Sequence, residues 1–340
     1  MTDLAETAGW LVDIPSVTGD EAGIRDEIAL RLHGMPQHAI ADCLVVGEPG
    51  DGAVILVGHL DTVPLQGEVG ATLEGDRLHG LGATDMKGGL AVMIHLVEAL
   101  GPERVTCVFY AGEEGPLPGN QLNLVLDKAA WLTKSSAAVV LEPTDRAIEA
   151  GCQGVINADV VFAGRPAHSA RPWLGENAIT KSGEFLTFLG AMEPEPHVVN
   201  GLEFLEVMSV TAAHGGVARN VIPGEFVMNI NYRFAPDRSH DEAVARLYEV
   251  CAPADRIEVT DIAPAGSVDT HHPLFQALIE ITGAPLRAKQ GWTDVAQLSS
   301  AGVPAVNFGP GEPSLAHKPG ESVRVSDLDW AYESLLDLLR

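Results

Sequence analysis

Residues 53–61 read Ala-Val-Ile-Leu-Val-Gly-His-Leu-Asp. The β-branched apolar run Ala53–Val57, bounded by Gly52 and Gly58, predicts a fully buried strand. Side chains two apart on a strand share a face, so His59 and Asp61 are expected together where the strand ends. Open α/β sheets keep their ligand sites at the carboxyl ends of strands. The pair therefore marks a candidate metal site, with His59 as ligand and Asp61 orienting its ring through the other nitrogen. Taken alone the match is short, and a His and an Asp simply capping a strand end compete with it.

Upstream, Leu4–Ile14 has apolar residues at helical spacing and stops at Pro15. Thr18 and Glu21 have the spacing of a capping box for a helix over Asp20–Leu32. Cys43–Val46 reads as a further strand. Downstream comes Gly-Leu-Gly-Ala-Thr-Asp-Met-Lys-Gly-Gly, Gly80–Gly89, and then an apolar helix over Leu90–Leu100. Asp85 in this loop is either an ordinary helix N-cap or a carboxylate whose glycine-rich surroundings let the backbone approach a bound ion.

The pattern recurs. Val105–Tyr110 is a buried strand ending in Ala-Gly-Glu-Glu-Gly, and two adjacent carboxylates there repel unless a cation lies nearby. One of Glu113 and Glu114 can ligate while the other takes protons. Ala137–Leu141 delivers Glu142, and the late strand Val303–Phe308 leads into a loop carrying His317. Two histidines with three carboxylates, Asp85, Glu114 and Glu142, form a mixed N and O donor set. Such a set suits zinc, with cobalt or manganese as substitutes.

Composition narrows the class. At 340 residues the chain is long enough for two cores. No apolar run approaches the roughly 20 residues of a membrane span. The segment Met1–Trp10 lacks a secretory layout, so a cytoplasmic protein is expected. Cys43, Cys107, Cys152 and Cys251 are scattered and read as reduced, buried thiols. A formal charge of −26 argues against nucleic acid and anionic membranes as partners.

These motifs, in order along nearly the whole chain, resemble the co-catalytic zinc amidohydrolases and peptidases. That family includes aminoacylases, acetylornithine deacetylases, glutamate-releasing carboxypeptidases and succinyl-diaminopimelate desuccinylases. The matching segments are H-L-D, G-A-T-D-M-K-G-G, G-E-E-G, L-E-P-T, G-R-P-A-H-S-A, R-N-V-I-P and A-H-K-P-G-E. The resemblance implies a zinc-peptidase-like α/β catalytic domain with a mixed central sheet, binding two zinc ions per subunit. His59 and Glu142 would hold one ion, Glu114 and His317 the other, with Asp85 bridging. Glu113 would be the general base, Asp61 the His-orienting acid, and the peptide after Asp85 would be cis.

Between Cys152 and about Ile262 the pattern changes. Val155–Phe162 alternates, as does Phe226–Phe234, which predicts an antiparallel sheet covered by helices over Asn177–Leu189 and Ser239–Val250. Because His317 follows this block, residues 153–262 read as an insertion into a catalytic domain formed by 1–152 and 263–340. The family's corresponding α+β insertion is a lid that dimerises and supplies a His to the partner's site. His168 matches that position, and Asn220 and Arg233 match substrate-contacting ones. Arg171 and Thr293 are further candidates for substrate contact, whereas Asp294 is expected to cap the following helix. The segment Lys289–Val306 is most similar to desuccinylases of high-GC Gram-positive bacteria, which implies N-succinyl-LL-2,6-diaminopimelate as substrate. Acetylornithine, other N-acyl amino acids or dipeptides are the alternative substrates, and a non-catalytic metal-binding protein is the alternative of another class.

Overall fold

The computed structural model describes residues 3–48, 50, 53–64, 67 and 70–340. Gly52, one boundary of the first strand, and Met1, the start of the segment read as non-secretory, lie outside the described residues. The chain divides into two units. One comprises Met1–Gly151, Gly266–Lys289 and Asp294–Arg340; the other comprises Cys152–Ala265 and Gln290–Thr293. The short return of Gln290–Thr293 to the second unit has no counterpart in the expected boundaries.

The first unit is built on an eight-stranded mixed sheet among the described residues. Its centre is four neighbouring parallel strands, in the order Val105–Tyr110, Val54–His59, Ala137–Val140 and Ala305–Asn307. All four are buried along their whole length. Burial on both faces explains why their sequences are continuous apolar runs rather than alternating ones. Cys43–Val46 and Gln37–Ile40 extend one side antiparallel. Ile148–Ala150 and Leu286–Ala288 extend the other. The Gly88–Leu100 helix packs against the helices Asp3–Val12 and Val325–Leu339. It lies so close to the sheet that a Cβ on Gly89 would sit 2.5 Å from the Leu141 carbonyl oxygen.

Several local expectations are corrected. Thr18 and Glu21 form no capping box: the Ala22–Arg31 helix has Glu21 at its N-cap without a side-chain cap bond, and the Thr18 hydroxyl donates to Asp61 at 3.0 Å. The strand predicted to stop at Val57 runs on to His59, so the imidazole belongs to the sheet itself. Asp85 is not an N-cap; Lys87 occupies that place, and Asp85 sits in the Ala83–Lys87 turn before the helix. The four cysteines are free and buried, and burial pushes the Cys43 thiol up to about 12. Among the described residues no helix is long and apolar enough to cross a membrane.

The second unit is a five-stranded antiparallel sheet in the order Glu195–Val199, Leu202–Gly215, Glu225–Phe234, Gly154–Ala163 and Arg256–Ala263. Phe226, Met228, Ile230, Tyr232 and Phe234 enter one core with Phe162, Phe185 and Leu247, as the alternation predicts. The expected helix over Asn177–Leu189 is two, Ala178–Lys181 and Gly183–Gly190, with Asn177 accepting from the Ile179 and Thr180 amides. His240–Val250 starts with a complete capping box from Ser239 and Glu242.

Glu206 is buried in this unit and satisfied on every side. It accepts from Arg238 Nε at 2.9 Å, from the Ala235 amide at 2.9 Å and from the Tyr232 hydroxyl at 2.8 Å. Burial opposes its ionisation, but these donors, Arg238 foremost, hold the carboxyl below its ordinary value. A lowered folded-state value stabilises the protein above the ordinary carboxylate range, and that contribution is lost as pH falls through it. Glu206→Gln is therefore expected to destabilise the protein by about 3 kcal/mol near neutrality, the low end for a broken buried pair because Arg238 retains some water contact. Urea unfolding at two pH values checks this: the gap to wild type should narrow in acid.

Candidate metal centre

The carboxyl ends of the four central strands bring the predicted residues together. His59 closes one strand, Glu113 and Glu114 follow Tyr110, Glu142 follows Val140, and His317 lies on the loop after Asn307. Asp85 enters from the turn before the Gly88–Leu100 helix, across a cis peptide to Met86. Its two oxygens face two imidazoles. Oδ1 lies 3.0 Å from His59 Nε2, and Oδ2 lies 3.2 Å from His317 Nε2. Each Nε2 also faces a glutamate, His59 meeting Glu142 Oε1 at 3.5 Å and His317 meeting Glu114 Oε1 at 2.9 Å.

The orientation of His59 differs from the expected one. Its Nδ1 lies 2.9 Å from the main-chain carbonyl of Asp61, whereas the nearest Asp61 carboxylate oxygen is at 3.6 Å. A carbonyl can only accept, so Nδ1 carries a proton and Nε2 is directed at the carboxylates. The Asp61 side chain does something else. Oδ1 accepts from the amides of Gly112 and Glu113, and Oδ2 from the amide of Glu114, each at 3.0 Å. One buried carboxylate thus shapes the backbone that presents both glutamates.

Glu321, in the A-H-K-P-G-E segment, performs a similar service for Asp85. Its Oε1 accepts from the Thr84 amide at 3.0 Å and the Asp85 amide at 3.1 Å. Neither backbone role has a sequence signature, because the partner amides are remote in the chain. Asp294 was expected to cap the Val295–Ser300 helix, yet its side chain makes no cap bond. It is fully buried and accepts from Tyr110 and Asn120 instead.

The donor set fits a pair of cations. His59, Asp85 and Glu114 each offer an atom within 4.8 Å of the others. Glu142 Oε1 is buried with no hydrogen-bond partner among the described residues. With protein groups alone, burial and then the neighbouring Asp85 push Glu142 up to about 8. Hydrogen bonds to Asp85 and Glu114 push His317 up to about 10. Burial raises Glu113 well above its ordinary value, and the charges of Asp294, Glu142 and Asp85 raise it further against the opposing influence of His59. So many buried acceptors around two imidazoles call for positive charge, which divalent ions supply without protonating the ligands.

In the second unit, His168 is exposed and pairs across a two-residue ladder with Val221. The Ser169 amide donates to the Asn220 carbonyl at 2.9 Å, so His168 and Asn220 occupy adjoining backbone. The Arg171 amide donates to the His168 carbonyl at 2.8 Å. Arg233 donates to Asn231 at 3.0 Å on the polar side of its strand. Thr293 is buried, and its hydroxyl has no hydrogen-bond partner among the described residues.

A mixed sheet whose central strands deliver histidines and carboxylates positioned for a dinuclear metal site defines a metal-dependent hydrolase. Residues 55–340 match Peptidase family M20/M25/M40, and the chain belongs to that family. It is 37% identical to the succinyl-diaminopimelate desuccinylase of Corynebacterium glutamicum, over 94% of this chain and 91% of that protein. It is 40% identical to a Mycobacterium tuberculosis protein provisionally assigned the same activity, over 99% of this chain and 97% of that protein. Among solved structures, the M20 family metallo-carboxypeptidase Sso-CP2 of Sulfolobus solfataricus has the same fold. Its TM-score is 0.78 at 15% identity, covering 100% of this chain and 99% of that one.

Proposed function

We propose that the chain is a two-zinc amide hydrolase that cleaves N-succinyl-LL-2,6-diaminopimelate to succinate and LL-2,6-diaminopimelate, in lysine and diaminopimelate biosynthesis. The observation that carries the hydrolase reading is Asp85 between two imidazoles, each backed by a glutamate. The identity to the Corynebacterium enzyme supports the substrate. His59 and Glu142 would hold one cation, Glu114 and His317 the other, and Asp85 both. Zinc suits this donor set, and cobalt or manganese can replace it.

When bound, such a pair of cations polarises an amide carbonyl and lowers the pKa of water toward neutrality. Glu113 accepts the proton of the attacking water on its carboxylate and returns it to the departing amine nitrogen. Asp61 holds Glu113 in place through the Gly112, Glu113 and Glu114 amides. His168 from a second copy, with Asn220, stabilises the oxyanion of the tetrahedral intermediate. Arg233 and Arg171 meet the substrate carboxylates, with Thr293 as a further contact. A homodimer through the second unit is supported by the outer edge of Val207–Gly215, which pairs with no strand among the described residues. A cytoplasmic setting follows from the biosynthetic role, with neither nucleic acid nor membrane as partner.

Metal content measured together with a substrate panel tests the reading. Two equivalents of cation per chain are expected, with kcat/KM for succinyl-diaminopimelate exceeding that for acetylornithine by about 10^3-fold. Preference for acetylornithine or a dipeptide would move the assignment to a general N-acyl-amino-acid or peptide hydrolase. Tight metal binding without turnover on any amide would make the chain a binding protein.

A further inference from the structure

Asp294 lies at the N-terminus of the Val295–Ser300 helix but spends neither oxygen on it. Oδ2 accepts from the Tyr110 hydroxyl, and Oδ1 accepts from Asn120 Nδ2 at 3.0 Å. These two donors are the feet of one loop. Tyr110 is the last residue of the Val105–Tyr110 strand, and Asn120 follows the Leu117–Gly119 turn. Between them run Ala111–Gly119, which carry Glu113 and Glu114.

The loop is drawn tight at its base. The Gln121 amide donates to the Ala111 carbonyl at 2.9 Å, and Asn120 Oδ1 accepts from the Leu122 amide at 2.9 Å. Gly112, at φ +82°, passes so near the returning chain that a Cβ there would lie 2.3 Å from the Gly119 carbonyl oxygen. Asp61 holds the first part of the loop, at Gly112, Glu113 and Glu114, and Asp294 ties its two ends to one point. A displaced Asp294 would be felt at once by the chemistry, because its carboxylate and those of Glu113 and Glu142 offer oxygens within 4.8 Å of one another.

We propose that Asp294 is a positioning residue: by accepting from both feet of the Ala111–Gly119 loop, it sets where Glu113 and Glu114 present their carboxylates. This rests on the two-cation hydrolase reading for the meaning of those glutamates. It predicts that Tyr110 and Asn120 act through a single shared group rather than independently.

The test uses the full chain and six variants: Asp294→Ala, Tyr110→Phe, Asn120→Ala, the Tyr110→Phe/Asn120→Ala pair, and Asp294→Ala combined with each tether variant in turn. Chelator-stripped protein is titrated calorimetrically with Co2+, and kcat and KM are measured separately on zinc-loaded protein. Cutting either tether is expected to lower kcat about tenfold, and Asp294→Ala about 100-fold, with KM little changed. One of the two Co2+ affinities, that of the position served by Glu114, should weaken in parallel. Adding either tether variant to Asp294→Ala should cost nothing more, since both acceptor oxygens are already lost. Wild-type kcat and Co2+ affinities in the paired tether variant would overturn the proposal, as would additive losses on the Asp294→Ala background. The tether variants decide the matter even where Asp294→Ala fails to fold. Should wild type hydrolyse no amide, the functional reading falls, whereas the Co2+ titrations still decide the role of Asp294.

Discussion

Glu113→Gln protein is expected to bind two cations as tightly as wild type and to turn over substrate about 10^3-fold more slowly. The substitution is nearly isosteric, and the loop that carries it is held by backbone amides. Gly112, Glu113 and Glu114 donate to Asp61 whatever stands at the Glu113 side chain. Glu114, the neighbouring proposed metal ligand, therefore keeps its position facing His317 at 2.9 Å. What disappears is basicity: an amide cannot take the proton of water or return one to an amine. Metal content by elemental analysis and kcat at saturating substrate make the comparison. Near-wild-type kcat in this variant would remove Glu113 from the mechanism.

Mixing inactive Glu113→Gln subunits with inactive His168→Ala subunits should restore activity. If each site takes its base from one chain and its oxyanion donor from the other, a hybrid dimer contains one intact site and one doubly damaged site. Random exchange makes about half of all dimers hybrid, so recovery should approach about a quarter of wild-type activity per site. His168 is suited to serving another chain. It is exposed on the short ladder with Val221, and its Nδ1 accepts from the Ala170 amide at 3.1 Å, which leaves Nε2 as the ring donor. Exchange is confirmed with differently tagged subunits. Confirmed exchange without recovered turnover would assign each site to a single chain.

The parts of the centre legible in the chain are those written in local pattern. A buried parallel strand is a continuous apolar run, so its end can be found by eye. His59, Glu113, Glu114, Glu142 and His317 each follow such a run. Asp85 is announced by the glycines around it. The alternation of Phe226–Phe234 likewise declares a sheet with one dry face, because period two is a property of the strand itself.

What the tertiary structure alone decided is how the acidic residues are used. From sequence, Asp61 is a His-orienting carboxylate and Asp294 a helix cap, because neighbours along the chain are the only partners that can be weighed. In the folded protein Asp61 leaves His59 to its own carbonyl and gathers three amides from a different strand end. Asp294 ignores its helix and joins Tyr110 to Asn120. Thr18 likewise abandons the expected cap for Asp61. A carboxylate has two oxygens and no preference for near partners over far ones. Its buried environment demands only that both be satisfied, and which donors do so depends on strand order, which no local pattern contains.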